Sequence, residues 1–312
     1  MLLMTTMLGC QLKDPAEPEL LVPGTVDENP DLPFLDINGT RLHAEAFGDP
    51  SDPLLIQLHG GPGSDYAAHL KAKAFVNDGF YVVFFDQRGT GLSRRHDPTF
   101  FSLENYMEDL RQVIKHYQVS PTQKVFLMGH SWGAMYATGY TNLYPSEVDG
   151  MVLSEPGGFT FEDMQAYIGR AFPIKPLSES INDVVWSEQL VAGKSHEELD
   201  YEFALLASSD SNTGNTGPLP ITRVGAVCSE AMFAIADRDG LDLASHISAY
   251  TTKVLFMYSD LNKAYGLEHA QKVSSAFPNV ELLEITETGH DLHYFAFEAY
   301  HAASLNYLNQ LR

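Results

Sequence analysis

Short apolar runs recur along the chain, each bounded by turn residues: Leu54 to Leu58, Tyr81 to Phe85, Lys124 to Met128, Met151 to Leu153, Lys253 to Tyr258 and Glu281 to Ile285. Continuous apolar runs of this length suit strands buried on both faces of a parallel sheet. Ahead of them, residues 34–47 read as a hairpin about Asn38-Gly39, a pair suited to a turn needing positive φ at both central positions. Between the strands lie helical patterns. The clearest is Leu103, Tyr106, Leu110, Val113 and Tyr117, spaced three and four apart behind Ser102 as a cap. Strand and helix alternating in this way predict an α/β architecture, a mostly parallel sheet flanked by helices.

The pattern changes from Gly157 to Ser248, where no comparable strand series occurs and the Asn/Gly/Ser-rich stretch 208–217 interrupts helical patches. This predicts a mainly helical lid, residues 157–248, inserted after the sixth strand, with the core built from 34–156 and 249–312. Connections this long tend to be functional. No internal repeat is present.

Composition narrows the function. The formal charge is -22, from 41 acidic against 19 basic residues, and no basic cluster offsets it, so nucleic-acid binding is not expected. No stretch reaches the roughly 18 apolar residues of a membrane helix, which excludes a polytopic membrane protein. The two cysteines, Cys10 and Cys228, make no disulfide framework. Cys228 reads as a buried filler. Leu8-Gly9-Cys10 resembles a bacterial lipoprotein cleavage box, and residues 11–33, rich in Pro, Glu and Asp, suit a flexible spacer. Lipidation of Cys10 would anchor the protein to a membrane of the bacterial cell envelope; without it, a cytoplasmic location is expected.

Gly129-His130-Ser131-Trp132-Gly133 fits G-x-S-x-G between a strand and a helical run that ends at Tyr144-Pro145. That context is a nucleophile elbow of the α/β-hydrolase fold. A serine hydroxyl needs a base, and Glu287-Thr288-Gly289-His290 directly follows the last strand, with His293 as a nearby rival. The base needs a carboxylate. Asp260, just past the Lys253 strand, is the expected acid in the order Ser, Asp, His; Glu155, after the preceding strand, is the alternative. His59-Gly60-Gly61-Pro62-Gly63 ends the Leu54 strand, where the fold places an oxyanion donor. The amides of Gly61 and Trp132 are the expected pair, with Gly60 the second choice. Neither metal nor other cofactor is expected, since His290-Asp291-Leu292-His293 lacks a third ligand in sequence.

HGGPG, Asp86-Gln87-Arg88-Gly89-Thr90-Gly91-Leu92-Ser93 and GHSWG together resemble the proline iminopeptidase family of α/β-hydrolases, from about Pro33 onward. The resemblance implies release of an amino-terminal residue, preferably proline, from small peptides, with lid carboxylates gripping the free amine. Glu188 and Glu230 are the acids offered for that role. Two departures leave the substrate open: the family often has a second glycine where His130 stands, and GHS is equally at home in esterases. His130 itself reads as a packing residue, and DQRGTGLS as an architectural loop. An esterase with the same triad, or a catalytically silent surface module, are the competing readings. Epoxide-hydrolase chemistry would need a carboxylate at position 131.

Overall fold

The computed structural model describes residues 21–171, 193–207 and 212–312. Its strands are β1 Phe34–Ile37, β2 Thr40–Phe47, β3 Leu54–Leu58, β4 Tyr81–Phe85, β5 Val125–His130, β6 Gly150–Ser154, β7 Val254–Ser259 and β8 Val280–Ile285. They form one sheet in the order β1-β2-β4-β3-β5-β6-β7-β8. The hairpin forms as expected: Ile37 faces Thr40, and Asn38 and Gly39 have φ of 45° and 71°. β2 runs antiparallel to β4, and every later pairing is parallel.

The helices are α1 Leu103–Tyr117, α2 Trp132–Leu143, α3 Phe161–Ala171, α4 His196–Ala207, α5 Ala226–Asp239, α6 Gly266–Ser274, α7 Leu292–Phe295 and α8 Phe297–Leu308. Ser102 caps α1, its hydroxyl accepting from the amide of Asn105 at 3.0 Å. Alternate strand residues enter cores on opposite faces of the sheet. Leu54, Ile56 and Leu58 join Val83, Leu127 and the inner side of α1 and α2, whereas Leu55 packs with Val82, Phe84, Phe126 and α8. Both faces being covered is the reason these strands carry no polar alternation.

Among the described residues, the insertion between β6 and β7 holds α3, α4 and α5 and no named strand. Asp200 on α4 ties it to the core. Fully buried, its carboxylate accepts from Arg95 at 2.9 Å, Arg223 at 2.8 Å and the Ala226 amide, at the start of α5, at 3.0 Å. Cys228 is buried on α5 and bonds the Tyr106 hydroxyl at 2.9 Å, as a filler would. Cys10 and Glu188 lie outside the described residues.

The connection leaving β3 runs toward β4, and the one leaving its neighbour β5 runs toward β6, the opposite way along the sheet. The loops after β3 and β5 therefore meet at its carboxyl edge, the place where open α/β sheets hold their ligands.

Candidate active site

Ser131 joins β5 to α2 with φ 54° and ψ -121°, a backbone conformation unusual for any residue but glycine. The flanking glycines permit the turn. A Cβ on Gly129 would collide with the Gly133 carbonyl, and one on Gly133 with the carbonyl of Leu58 on β3. The strand, the turn and the helix are thus pressed together with backbone against backbone. Trp132 opens α2, so its amide is one of those a helix leaves without an internal acceptor.

Gly60 lies against the serine: a Cβ built on it would be 3.3 Å from the Ser131 Cβ. The Gly60 carbonyl accepts from His59 Nδ1 at 2.9 Å. A trans peptide is planar, so this bond turns the N–H of Gly61 to the side opposite His59. His59 Nε2 in turn accepts from the Gln87 amide at 3.0 Å, and burial, its largest influence, holds the ring below its ordinary pKa and uncharged. Gln87 bridges the two loops, its Nε2 donating to the His59 carbonyl at 2.8 Å and its Oε1 accepting from Trp132 Nε1 at 2.9 Å. Asp86 accepts from the amides of Tyr66 and Leu92, and Arg88 forks onto buried Asp109 at 2.8 and 2.7 Å. The DQRGTGLS segment is the scaffold of the site, as its composition suggests.

The carboxylate on His290 is Glu155, and not Asp260. Glu155 Oε2 lies 2.7 Å from His290 Nδ1. A carboxylate can only accept, so the ring proton sits on Nδ1 and Nε2 is left as the basic nitrogen. Glu155 is fully buried and held by the Ser259 amide at 2.7 Å, the Ser259 hydroxyl at 2.5 Å and Asn262 Nδ2 at 2.7 Å. The Tyr167 hydroxyl sits 3.2 Å from both His290 Nδ1 and Asn262 Nδ2, closing the ring of polar groups. Asp260 instead accepts from the Thr288 amide at 3.3 Å, so it braces the loop that carries His290 and leaves the imidazole alone. Two geometric facts account for the exchange: β6 is next to β5 whereas β7 is one strand farther, and glutamate has the extra methylene to reach across.

Burial opposes the charged form of His290, but the hydrogen bond and charge of Glu155, helped by Asp291, outweigh it and hold the imidazole above its ordinary pKa. His290 remains 14% exposed at its side chain, open enough to meet a substrate.

Behind it lies a cluster of rings that spacing did not reveal. His130 does more than pack: its Nε2 lies 3.0 Å from Asp291 Oδ1 and its Nδ1 3.2 Å from the Ser154 hydroxyl. Its ring centroid is 4.6 Å from that of His290 and 4.2 Å from that of His293. His293, the rival base, is buried away from solvent. Burial first, and neighbouring imidazoles second, push His293 well below its ordinary pKa.

Of the two amine anchors expected, Glu230 is exposed on α5 while Val227, Cys228, Ala231 and Met232 on that helix are buried. Beside Trp132 lies a small apolar cavity of about 10 Å³, room for no more than a water molecule, lined by Pro62, Met164, Met232, Phe233 and Ile235.

Comparison with known proteins fits this geometry. A family described as Hydrolase_4, serine aminopeptidase, S33, matches residues 49–196. A proline iminopeptidase of Heyndrickxia coagulans is 35% identical over 126 residues, covering 39% of this chain and 42% of that protein. Epoxide hydrolase B of Mycobacterium tuberculosis is 33% identical over 122 residues, 38% of this chain and 33% of that protein. The aligned part thus spans under half the length of these curated relatives. The solved structure of a proline iminopeptidase-related protein from Thermus thermophilus superposes with a TM-score of 0.63 at 21% identity, covering 90% of this chain and 98% of that one. Sheet order, elbow and glycine-rich loop agree with the solved structures on the fold: the chain is an α/β-hydrolase, similar over residues 49–196 to serine aminopeptidases and over about two fifths of its length to proline iminopeptidases.

Proposed function

We propose that the protein is a serine aminopeptidase of the proline iminopeptidase type, with Ser131, His290 and Glu155 as its catalytic groups. The observation that carries the reading is a serine on a strained elbow next to His130, whose ring lies 4.6 Å from a His290 imidazole with its Nδ1 locked onto a buried carboxylate. His290 Nε2 takes the Ser131 proton as the hydroxyl oxygen attacks the carbonyl of the first residue. The amides of Gly61 and Trp132 receive the developing oxyanion. The tetrahedral adduct collapses as His290 returns the proton to the leaving amine, and an aminoacyl ester remains on Ser131. Water, deprotonated by the same imidazole, then releases the amino acid and restores the hydroxyl. Glu155 keeps the tautomer correct and offsets the imidazolium charge in both halves.

Support for an amino-terminal substrate comes from the HGGPG and DQRGTGLS pair, and from the serine aminopeptidase family that matches residues 49–196. A second reading, an ester hydrolase, is favoured by the Gly129-His130-Ser131 elbow, which is equally at home in esterases. Serine at 131 argues against epoxide chemistry, which needs a carboxylate there. Turnover of proline p-nitroanilide, its N-acetyl analogue and p-nitrophenyl acetate decides between them. Cleavage of the free-amine anilide alone, lost in Ser131→Ala, is expected. Ester turnover without anilide turnover would overturn the peptidase reading.

A further inference from the structure

We propose that His130, Asp291 and His293 form a binding site for one divalent transition-metal ion of the zinc class, set directly behind His290. One donor atom from each of the three lies within 4.8 Å of the others, and all three residues are buried. The pair His130 Nε2 and Asp291 Oδ1, 3.0 Å apart, already has the spacing of two ligands on one tetrahedral ion, roughly 3.3 Å for metal bonds near 2.0 Å.

The second observation is independent of that spacing. His293 is only 4% exposed, and among the described residues neither of its ring nitrogens has a hydrogen-bond partner. An orphaned buried polar group costs about 1–3 kcal/mol and calls for an explanation. A metal bond to one of these nitrogens supplies one. Two imidazoles and a carboxylate are a donor set that zinc accepts, and three protein ligands leave a fourth position for water. The carboxylate also has the outer support that metal ligands require: Asn215 Nδ2 donates to its other oxygen, and Asn215 Oδ1 accepts from the Asp291 amide at 2.9 Å. The ring of His69, stacked on His293 at 4.2 Å, walls off the far side.

The ion would displace the proton of His130 Nε2 and take Asp291 as its ligand. A divalent charge so close to His290 disfavours the imidazolium that catalysis must form, so binding should switch the enzyme off. That consequence rests on the proposed hydrolase reading; binding itself does not.

The test uses the full chain stripped with EDTA and titrated with Co2+, read by the visible absorption of four-coordinate cobalt, with Zn2+ then competing. One equivalent is expected to bind in wild type, Ser131→Ala and Glu155→Gln alike, and Zn2+ to inhibit turnover. His293→Phe should weaken binding by more than the roughly 100-fold that loss of an outer-shell partner can cost, and should relieve zinc inhibition. If that variant does not fold, Asp291→Asn carries the same expectation. The proposal is overturned by absence of the stoichiometric cobalt spectrum in wild type. It is equally overturned by a spectrum that survives removal of His293 or Asp291, or by one lost on Glu155→Gln, which would place the ion on the catalytic histidine itself.

Discussion

Glu155 meets His290 at 2.7 Å with its remaining lone pairs occupied by Ser259 and Asn262, so its substitution should cost more than that of any other acid here. In Glu155→Gln the amide can donate to Nδ1 and hold the wrong tautomer, and kcat/KM is expected to fall about 1,000- to 10,000-fold. Asp260→Asn, whose side chain meets the Thr288 amide and not His290, should leave kcat/KM within about tenfold of wild type. The pH profile carries a sign as well. His290 acts as a base only when neutral, and since Glu155 helps raise its pKa, activity should rise with pH through a midpoint above the ordinary histidine value. In Glu155→Gln burial is left as the main influence, and residual activity should rise at lower pH; an unmoved limb would count against the pairing. Sequence order pointed to Asp260 because both acids end a strand and nothing local separates them. The difference lies in strand adjacency and in the φ of 45° at Glu155, neither of which the residue string displays. The His130 contact with Asp291 was hidden for a similar reason, since 161 positions separate them.

At the scale of elements, the strands were legible almost to the residue, because a strand covered on both faces is apolar on both, as in Tyr81–Phe85. The segment Ala67–Asp78, by contrast, winds as 3-10 helix with a weak apolar period, and no pattern announced it. What fixes the insertion to the core was also unreadable: Asp200, Arg95 and Arg223 are far apart in sequence and each looks like surface charge. Their side chains are 0%, 9% and 2% exposed. Asp200→Ala strands two buried guanidinium groups, and the loss of stability should be about 3–5 kcal/mol, measured by urea unfolding. A change below about 1 kcal/mol would mean the network is dispensable.

For the whole molecule, a charge of -22 creates a negative field that a free-amine substrate would feel and a neutral ester would not. Raising salt from about 0.01 to 0.5 M should therefore lower kcat/KM for proline p-nitroanilide at a pH where its amine is charged, while p-nitrophenyl acetate is little affected. Equal salt dependence would show that the field plays no part in substrate capture. The most direct examination of the central claim is covalent labelling with a fluorophosphonate, followed by peptide mass mapping of wild type, Ser131→Ala, Glu155→Gln and Asp260→Asn. The account predicts a single adduct on Ser131, absent in Ser131→Ala, strongly slowed in Glu155→Gln and nearly unchanged in Asp260→Asn. An adduct elsewhere, none at all, or slowing in Asp260→Asn with Glu155→Gln unaffected would contradict it.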